Sequence, residues 1–463
     1  MNRNIGLVAL LLTLNFAIYV VYITAGMARG IVNIDYLISL FISNKNINIS
    51  YLVLVSLFDL LILVSGIYHF TPISFLEGYE IALHIDLKYY KLSIIGGILL
   101  FFLLIIVCRK ISNFAITVKK GRVYFGLALI VMLVVIDASL GSLSYWRGKY
   151  NSLAPNLINA NVATSGLGYL VGEIKMRYFY EESVVAIKPI DSAMKVALND
   201  LGVDEYPEKI ILIILESFGS INSMPFRESL YSEFEGSIKV RKSFKTGVIP
   251  FFGATTSGEM RELCGVKGDY KIAFNNLDDF HCIPNRLKTL GYSTSAFHYY
   301  YRSSFNRNVW WPLVGIDSSY FVDQYVRSSD SVLCGGLFNG GCDKKMIDDL
   351  FSSASSINGK SFSYGLTLNS HLPTYPTKDI QNIRPISDKN FSNLTESVQL
   401  MVDSWRVVFK AVSDNINVRP ESNFLVVIVG DHSPPFLKPE DKAVFSLTHV
   451  PYIILKTNSL AIK

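Results

Sequence analysis

Two apolar runs in the second half of the chain end in residues that could hold a metal ion. The run IILIIL (210–215) is followed by Glu216, and the run FLVVIVG (424–430) is followed by Asp431 and His432. Carboxylate and imidazole ligands from two strand ends suit Zn²⁺ or Mn²⁺, with one coordination position left open. Taken singly, each residue has an ordinary explanation, because polar residues after strands are common in turns and next to helix N-caps.

A hydroxyl side chain stands where another helix is predicted to begin. In GATTSGEMRELCG (253–265), Thr255 follows a glycine-containing turn and opens a segment of helical character. A hydroxyl at a helix N-terminus beside a divalent cation is a good nucleophile toward a phosphoester, because the cation lowers its pKa and the helix dipole favours the anion. The alternative is plain N-capping by Thr or Ser, with Glu259 completing a capping box, and from these residues alone capping is the commoner arrangement.

The surrounding pattern predicts the elements that would position these residues. From about residue 206, short β-branched runs such as 209–217 and 423–432 are typical of buried parallel strands, and segments such as 284–291 and 392–412 have helical character. This alternation predicts a three-layer α/β domain. In such folds ligands bind beyond the carboxyl ends of the strands, which is where the candidate metal ligands would lie.

The first part of the chain is predicted to be a multi-span α-helical membrane domain. A shorter apolar run at 31–44, interrupted by Asp35, is predicted to be a short fifth span or an interfacial segment, with the span favoured. A cleavable signal peptide at the N-terminus is disfavoured, since no small-residue cleavage site is followed by a soluble domain. Four runs are each long enough for a hydrocarbon core of about 30 Å: residues 5–27, 51–70, 92–108 and 123–143.

Charges between these runs predict the orientation. The 109–122 loop carries five basic residues and no acidic one, which marks it as cytoplasmic, so the 70–91 loop and everything after residue 143 would lie outside. We therefore predict a transmembrane domain at 1–145, a connector at 146–205 and an extracytoplasmic domain at 206–463. Within the connector, 167–181 is predicted to be a membrane-surface helix or an ordinary packing helix.

Composition excludes several classes of protein. The 463 residues are 50% hydrophobic and only 17% charged, which is too apolar for an ordinary soluble protein and rules out a disordered or fibrous one. The net charge of +5 is small and is not gathered into one basic patch, so nucleic acid is not an expected partner.

Together these motifs resemble the sulfatase-like branch of the alkaline phosphatase superfamily. The chain looks most like the membrane-anchored lipoteichoic acid synthases, periplasmic glucan phosphoglycerol transferases and lipid A phosphoethanolamine transferases. LESFG (215–219) is similar to the family's first metal motif and GDHSP (430–434) to its second. GATTSGE (253–259) matches the synthase pattern Gly-x-Thr-x-x-x-Glu. The resemblance thus implies Glu216, Thr255, Asp431 and His432 as metal ligands, and Thr255 as the nucleophile.

Other positions are similar to the family's phosphate and head-group contacts. In the segment AFHYYYRSSFNRNVWW, His298 precedes Asn306 and Arg307 much as a His precedes Phe-Trp-Asn-Arg in the synthases, which implies that Arg307 is a phosphate clamp. This chain has a Phe where those enzymes have Trp. His371 in LNSHLPTY is similar to the family's Asn-His-x-Pro histidine, and His449 in THVPYIIL to the His-Val-Pro of the phosphoethanolamine transferases. Considered without the resemblance, these histidines would more often be structural.

The resemblance implies a two-step transfer at a bacterial inner membrane, with the catalytic domain facing the periplasm. With one divalent cation (Zn²⁺, Mn²⁺ or Mg²⁺), Thr255 would take phosphoethanolamine or phosphoglycerol from phosphatidylethanolamine or phosphatidylglycerol, and a glycan or glycolipid hydroxyl would then accept it. A phosphodiester hydrolase and a catalytically silent lipid sensor are the alternatives. A formylglycine sulfatase is not expected, because no Cys/Ser-x-Pro-x-Arg pattern surrounds Thr255.

Four cysteines in the second half fit an oxidising exterior. Of the three possible pairings we predict Cys264–Cys282, which would pin the helix at 284–291, and Cys334–Cys342, which would close the loop CGGLFNGGC. A zinc site built from cysteines is the rival arrangement, and the absence of CxxC spacing argues against it.

Overall fold

The computed structural model divides the chain into two compact units, which are treated separately below. The first holds the described residues up to 167, and the second holds those from 188 onwards. The residues that the structure describes are 3–24, 32–67, 91–116, 124, 126–128, 130–132, 163–167, 188–202, 205–268, 270–274, 282–324, 333–335, 338, 340–383, 389–436 and 438–457.

The first unit consists mainly of long apolar helices. Its short strands β1 and β2 pair in parallel. Within the described residues, one stretch, Lys45–Leu63, is long and apolar enough to cross a membrane, and a shorter apolar helical stretch covers Leu11–Tyr22. The elements are α1 (Arg3–Thr24), β1 (Val32–Asn33), α2 (Asp35–Ile38), α3 (Lys45–Ile67), α4 (Lys91–Ile116) and β2 (Ala163–Thr164).

The favoured prediction of a fifth span at 31–44 is wrong. The described residues of that run form β1, the four-residue α2 and a 3₁₀ turn at Ser39–Phe41 instead of a continuous helix. The reason is the carboxylate of Asp35, which is buried and accepts hydrogen bonds from Ser165 Oγ at 2.6 Å and from the main-chain N–H of Leu167 at 2.9 Å. A buried charge requires such partners, and they come from a distant segment of the chain. The predicted surface helix at 167–181 falls almost wholly outside the described residues.

The second unit is built around a seven-stranded sheet in the order β5-β13-β12-β4-β11-β7-β8. The first elements are β3 (Lys188–Pro189), α5 (Ala193–Asn199), β4 (Lys209–Leu215), α6 (Met224–Ser237), β5 (Lys242–Pro250), α7 (Thr255–Cys264), β6 (Val266–Lys267), α8 (Ile283–Thr289), β7 (Ser293–His298), α9 (Arg307–Leu313) and β8 (Ser318–Phe321). They are followed by β9 (Leu333–Gly335), β10 (Gly340–Gly341), α10 (Asp343–Ser356), β11 (Ser361–Leu366), α11 (Lys378–Gln381), α12 (Lys389–Ser392), α13 (Glu396–Asn417), β12 (Phe424–Gly430), α14 (Pro439–Lys442) and β13 (His449–Thr457).

Helices cover both faces of this sheet. Strand β4 is buried along its whole length, and its side chains alternate between the two faces as a strand requires. The odd-numbered residues from Ile211 to Leu215 pack with α6, α10 and α13, whereas the even-numbered ones from Ile210 to Ile214 pack with α5, α7, α8 and α9. The predicted three-layer α/β domain is therefore confirmed.

Residues before 206 also contribute to this unit. Strand β3 pairs antiparallel with β6, and Ser192 caps α5 by accepting a hydrogen bond from the main-chain N–H of Lys195 at 3.1 Å. The described part of the predicted connector is thus divided, because its residues from Lys188 onwards group with the second unit.

Candidate active site

Parallel pairing brings the predicted metal ligands together. Strand β4 lies between β12 and β11, parallel to both, with Leu215 opposite Gly430. The next residue of each strand, Glu216 and Asp431, therefore lies at the same edge of the sheet. The nearest carboxylate or imidazole atoms of Glu216, Asp431 and His432 all lie within 4.8 Å of one another, and the three residues are buried.

The imidazole of His432 is fixed in one tautomer. Its Nδ1 lies 3.0 Å from the main-chain oxygen of Ser433, which can only accept, so Nδ1 carries the proton. In the neutral ring Nε2 therefore has the lone pair, and it lies 3.3 Å from Oδ2 of Asp431 and 3.6 Å from Oε1 of Glu216. A main-chain carbonyl on the second ring nitrogen is the arrangement found behind metal-ligating histidines.

The chemistry of this cluster fits a divalent cation. Oδ2 of Asp431 is buried and accepts no hydrogen bond from any residue in the described part of the chain. Burial raises the pKa of Asp431 to about 7, helped by the neighbouring charge of Glu216, and burial likewise raises the pKa of Glu216. Two carboxylates and an imidazole lone pair at this spacing repel one another unless a cation or protons lie between them. Oxygen and nitrogen donors of this kind suit Zn²⁺, Mn²⁺ or Mg²⁺.

The candidate nucleophile faces the same cluster. Thr255 is the first residue of α7, and its hydroxyl donates to Oε2 of Glu216 at 3.1 Å. The helix has Ala254 at its N-cap and no side-chain cap, so the capping-box alternative is not realised. The positive end of the helix dipole at the start of α7 favours negative charge near the Thr255 oxygen.

Close packing holds α7 against the ligand strand. A Cβ atom added at Gly258 would lie 2.8 Å from both Cα and Cβ of Asp431, which is closer than real Cβ atoms approach. Glycine at position 258 therefore lets α7 lie directly against Asp431, a candidate metal ligand.

The residue after Glu216 adopts an unusual backbone conformation. Ser217 has a φ of 52°, which is rare for a residue other than glycine. In this conformation its N–H donates to Oδ1 of Asp431 at 2.8 Å and its hydroxyl donates to Oε1 of Glu216 at 3.0 Å. Ser217, held in this strained turn, thus donates hydrogen bonds to both carboxylates.

The next strand supports Glu216 through its main chain. The hydroxyl of Thr367, directly after β11, accepts a hydrogen bond from the Glu216 N–H at 2.8 Å. The Ser370 hydroxyl donates to the Glu216 main-chain oxygen at 2.6 Å. Neither of these supporting residues was predicted from the sequence, although Thr367 could have been found by its place after an apolar run.

Arg307 lies in a buried ion pair. Its guanidinium is 2% exposed and donates from Nη2 and Nε to Oε2 of Glu259 at 2.9 and 3.1 Å. The fully buried Glu259 carboxylate also accepts from Trp311 Nε1 at 3.1 Å and from the Tyr364 hydroxyl at 2.9 Å. Glu259 therefore holds the guanidinium. Asn306, next to Arg307, is exposed and has a φ of 53°.

The three remaining predicted histidines differ in environment. His298, at the end of β7, is buried, and burial together with the charge of Arg307 lowers its pKa well below the usual value. His371 is half-buried, and burial lowers its pKa despite the nearby charge of Asp431. Each donates from Nδ1 to a main-chain oxygen: His298 to Leu366 at 3.0 Å and His371 to Leu372 at 2.7 Å.

His449 is the least enclosed of them. It begins β13, opposite Pro250 at the end of β5, and so lies at the same edge of the sheet as the cluster. Its ring is exposed, and Nδ1 lies 2.9 Å from the Thr448 hydroxyl.

A second charged pair behind α7 was also missed. Arg261 is buried and donates to the main-chain oxygens of Gly430 at 2.5 Å and Asp431 at 3.1 Å. Its Nε pairs with Glu262 at 2.7 Å, and Glu262 in turn accepts from the N–H of Met194 at 3.0 Å. No sequence signal marks these residues, because charged pairs in a helix are usually solvated.

Both predicted disulfides, Cys264–Cys282 and Cys334–Cys342, are confirmed. Asp379 lies near the second bridge and forms a group with its two sulfurs. Bridged sulfurs are not thiolates, so this group is not a cysteine metal site.

Comparisons with known proteins agree with this architecture. Residues 250–461 match the family model described as Sulfatase. A search of curated proteins found no significant match.

Three solved structures illustrate the structural similarity. The lipoteichoic acid synthase LtaP from Listeria monocytogenes is 17% identical with a TM-score of 0.37, covering 55% of this chain and 66% of that one, just under two thirds of it. The periplasmic domain of EcEptC from Escherichia coli in complex with Zn is 14% identical with a TM-score of 0.35, covering 59% and 77%. The integral membrane lipooligosaccharide phosphoethanolamine transferase EptA from Neisseria meningitidis is 12% identical with a TM-score of 0.46, covering 92% and 80%.

All three TM-scores lie below 0.5, and the similarity to the Sulfatase family rests on the sequence match. That match begins at the end of β5 and contains Thr255, Asp431 and His432. Residues 250–461 of this chain thus match the Sulfatase family model, which confirms the sulfatase-like resemblance that the motifs indicated.

Proposed function

We propose that this protein is a membrane-anchored phosphotransferase that moves a phospholipid head group, phosphoethanolamine or phosphoglycerol, onto a cell-envelope glycan or glycolipid. The observation that supports the proposal is the hydrogen bond from the Thr255 hydroxyl to Glu216, because a hydroxyl at a helix N-terminus beside three converging carboxylate and imidazole groups is suited to act as a nucleophile. The names of two of the similar structures, a lipoteichoic acid synthase and a lipooligosaccharide phosphoethanolamine transferase, agree with this class of reaction.

In the first step Thr255 attacks the phosphorus of the donor lipid. Glu216 orients the hydroxyl, and its Oε2, which accepts the hydroxyl's hydrogen bond at 3.1 Å, takes up the proton as the oxygen–phosphorus bond forms. The bond from phosphorus to the diacylglycerol oxygen breaks, which leaves a phospho-threonine carrying the head group. A divalent cation held by Glu216, Asp431 and His432 would lower the pKa of the hydroxyl and stabilise the charge on the phosphoryl oxygens.

In the second step an acceptor hydroxyl displaces Thr255 from phosphorus. His371 donates from Nδ1 to a main-chain carbonyl, so its neutral Nε2 has a lone pair that can take the acceptor's proton. Its lowered pKa keeps the ring neutral near pH 7, which that role requires. His298, Asn306, Arg307 and His449 are proposed to contact the phosphate and head group from the same edge of the sheet.

The membrane part of the proposal concerns access to the donor. The apolar runs of the first unit are proposed to anchor the chain in a bacterial inner membrane, with the second unit on the periplasmic side. Among the described residues, Lys45–Leu63 is long and apolar enough to cross a membrane, by length and composition. An anchored domain would meet the phosphates of outer-leaflet lipids without extracting the lipid, and this arrangement favours transfer from a phospholipid.

The proposal predicts a covalent adduct on one residue. Detergent-purified protein is incubated with mixed phosphatidylethanolamine and phosphatidylglycerol, and its intact mass is measured, followed by peptide mapping. The expected result is an adduct of phosphoethanolamine or phosphoglycerol mass on Thr255, which also identifies the donor.

Matched variants test whether Thr255 is the nucleophile. Thr255→Ser keeps the hydroxyl and is expected to retain the adduct, whereas Thr255→Ala is expected to lose it. Thr256→Ala, one position along the same helix, is the control for damage to the helix start and is expected to label normally. An adduct that persists in Thr255→Ala would refute the nucleophile assignment, and release of free head group without an acceptor would favour a hydrolase.

A further inference from the structure

The bridged loop CGGLFNGGC (334–342) presents one aromatic ring to the candidate site. Strands β9 and β10 pair antiparallel, and the Cys334–Cys342 bridge joins the middle residue of β9 to the residue directly after β10. The ring of Phe338 lies 4.4 Å from the ring of His371, at an interplanar angle of 71°. This edge-to-face arrangement is the preferred geometry for a pair of aromatic rings.

The end of the loop is locked to the segment that carries His371. The buried carboxylate of Asp343 accepts hydrogen bonds from the N–H groups of Leu368 and Asn369, both at 2.8 Å. In return, Asn369 accepts from the Asp343 N–H at 2.8 Å and donates to the Gly341 oxygen at 3.2 Å. These reciprocal bonds fix the loop and the histidine segment to each other.

Glycine allows the loop to approach this closely. A Cβ atom added at Gly340 would lie 2.7 Å from the main-chain oxygen of Tyr299 and 2.2 Å from the side chain of Leu368. The N–H of Gly341 donates to the same Tyr299 oxygen at 2.7 Å. The glycine-rich sequence of the loop therefore serves packing against the active-site edge of the sheet.

On its other side His371 is linked to the candidate metal ligands. The preceding residue, Ser370, donates to the main-chain oxygen of Glu216. The imidazole thus packs against the ring of Phe338, and its Nδ1 is held by the oxygen of Leu372. The open ring nitrogen, Nε2, is left in an orientation that these contacts set.

We propose that Phe338, held by the Cys334–Cys342 bridge, is a positioning residue that fixes the ring of His371 beside the reacting groups. This inference rests on the proposed function in one respect, the catalytic task given to His371. The physical claim, that the bridged loop shields and orients one histidine, is separate and has its own readout. Phe338 would act through His371 and not through contact with the reacting atoms.

The test measures the reactivity of each histidine with diethyl pyrocarbonate, which modifies unprotonated ring nitrogens. The full-length protein in detergent is labelled at one pH, and the rate at each histidine is followed by peptide mass mapping. We expect the rate at His371 to rise roughly two- to tenfold in Phe338→Ala, the range that corresponds to loss of an aromatic pair. The Cys334→Ser/Cys342→Ser double variant is expected to show a similar rise, and Phe338→Tyr, which keeps the ring, is expected to label like the wild type.

Internal and matched controls make the result specific. Buried His298 reports opening of the site as a whole and is expected not to change, and exposed His449 reports the reagent concentration. The Cys264→Ser/Cys282→Ser variant removes the other bridge and is expected to leave the His371 rate unchanged. An unchanged His371 rate in Phe338→Ala or in the 334/342 variant overturns the proposal, as does an equal rise at His298.

Activity provides the second readout. If the wild type transfers a head group, Phe338→Ala is expected to lower kcat more than it raises KM for the donor, with recovery in Phe338→Tyr. A wild type that transfers no head group would refute the proposed function, while the labelling rates would still decide whether Phe338 positions His371.

Discussion

The guanidinium of Arg261 donates to the main-chain oxygen of Asp431 at 3.1 Å. This contact joins the helix that begins with Thr255 to the strand end that carries two candidate metal ligands. A second bond, to the Gly430 oxygen, and the pairing with buried Glu262 leave the guanidinium almost fully enclosed. The distance between the candidate nucleophile, Thr255, and the candidate metal ligands is therefore set partly by a residue outside the proposed reacting groups.

Arg261→Lys tests this positioning role. Lysine keeps the charge but lacks the planar guanidinium whose three nitrogens reach Glu262 and two carbonyls, so we expect a loss of about 2 kcal/mol in the free energy of unfolding. We also expect weaker metal binding, measured by calorimetry. Arg406→Lys is the matched control, because the partner Glu233 is half-exposed and the pair is expected to contribute less than about 1 kcal/mol. Equal losses in the two variants would contradict the role given to Arg261.

Gly258→Ala tests the close approach of α7 to Asp431. The added methyl group would meet backbone and side-chain atoms at 2.8 Å, so helix or strand must shift. We expect a loss of about 1–3 kcal/mol in the free energy of unfolding, together with reduced labelling of Thr255. Gly236→Ala, in helix α6 with no atom within 4 Å of the new Cβ, is the control and is expected to be neutral or to stabilise by up to about 1 kcal/mol. A Gly258→Ala protein with wild-type stability and labelling would show that the contact relaxes freely.

Glu259→Gln tests the ion pair behind the nucleophile. The change leaves the guanidinium of Arg307 buried without its carboxylate, and we expect a loss of about 3–5 kcal/mol in chemical denaturation. Glu233→Gln, at the half-exposed pair with Arg406, is the comparison and is expected to have a small effect. If Glu259→Gln is as stable as the wild type, the guanidinium is not held by Glu259 and the described packing is wrong.

A divalent cation is expected to stabilise the folded protein. Zn²⁺ or Mn²⁺ at about 100 times its Kd should add about 2.7 kcal/mol, seen as a higher Tm. Asp431→Asn is expected to abolish the shift. Asp379→Asn, which alters the acidic residue beside the Cys334–Cys342 bridge, is expected to retain it. A shift that survives in Asp431→Asn would place the cation elsewhere.

The Asp431 carboxyl is expected to make both the folding stability and the metal affinity depend on pH, each in a defined direction. The pKa of Asp431 is raised from 3.8 to about 7 in the folded protein, so the folded state binds the proton more tightly than the unfolded chain does. Without a cation this carboxyl therefore contributes stability at low pH that is lost as the pH rises from about 4 to about 7. Protons compete with the cation, so calorimetric metal affinity is expected to fall as the pH drops below about 7. Affinity independent of pH between 6 and 8 would contradict this assignment.

Much of the candidate site could be predicted because its signals are local. Glu216, Asp431 and His432 each follow a continuous apolar run, and in a parallel sheet such runs end at one edge. The two disulfides were predictable for a similar reason, since each joins cysteines close in sequence. The fifth span was mispredicted because the partners of the Asp35 carboxylate, Ser165 and Leu167, lie far along the chain.

The sequence by itself determined the three-layer domain, the cluster of candidate metal ligands and the place of Thr255 at a helix start. These features could be predicted because apolar periodicity and strand ends are recognised from residues that are neighbours in the chain. Only the tertiary structure decided which buried charges pair. Glu259 joins Arg307 and Arg261 joins the Asp431 carbonyl because the packing of α7, α9 and β12 removes these groups from water. A buried charge must then bond whatever lies within reach, and that is fixed by the fold and not by spacing along the chain.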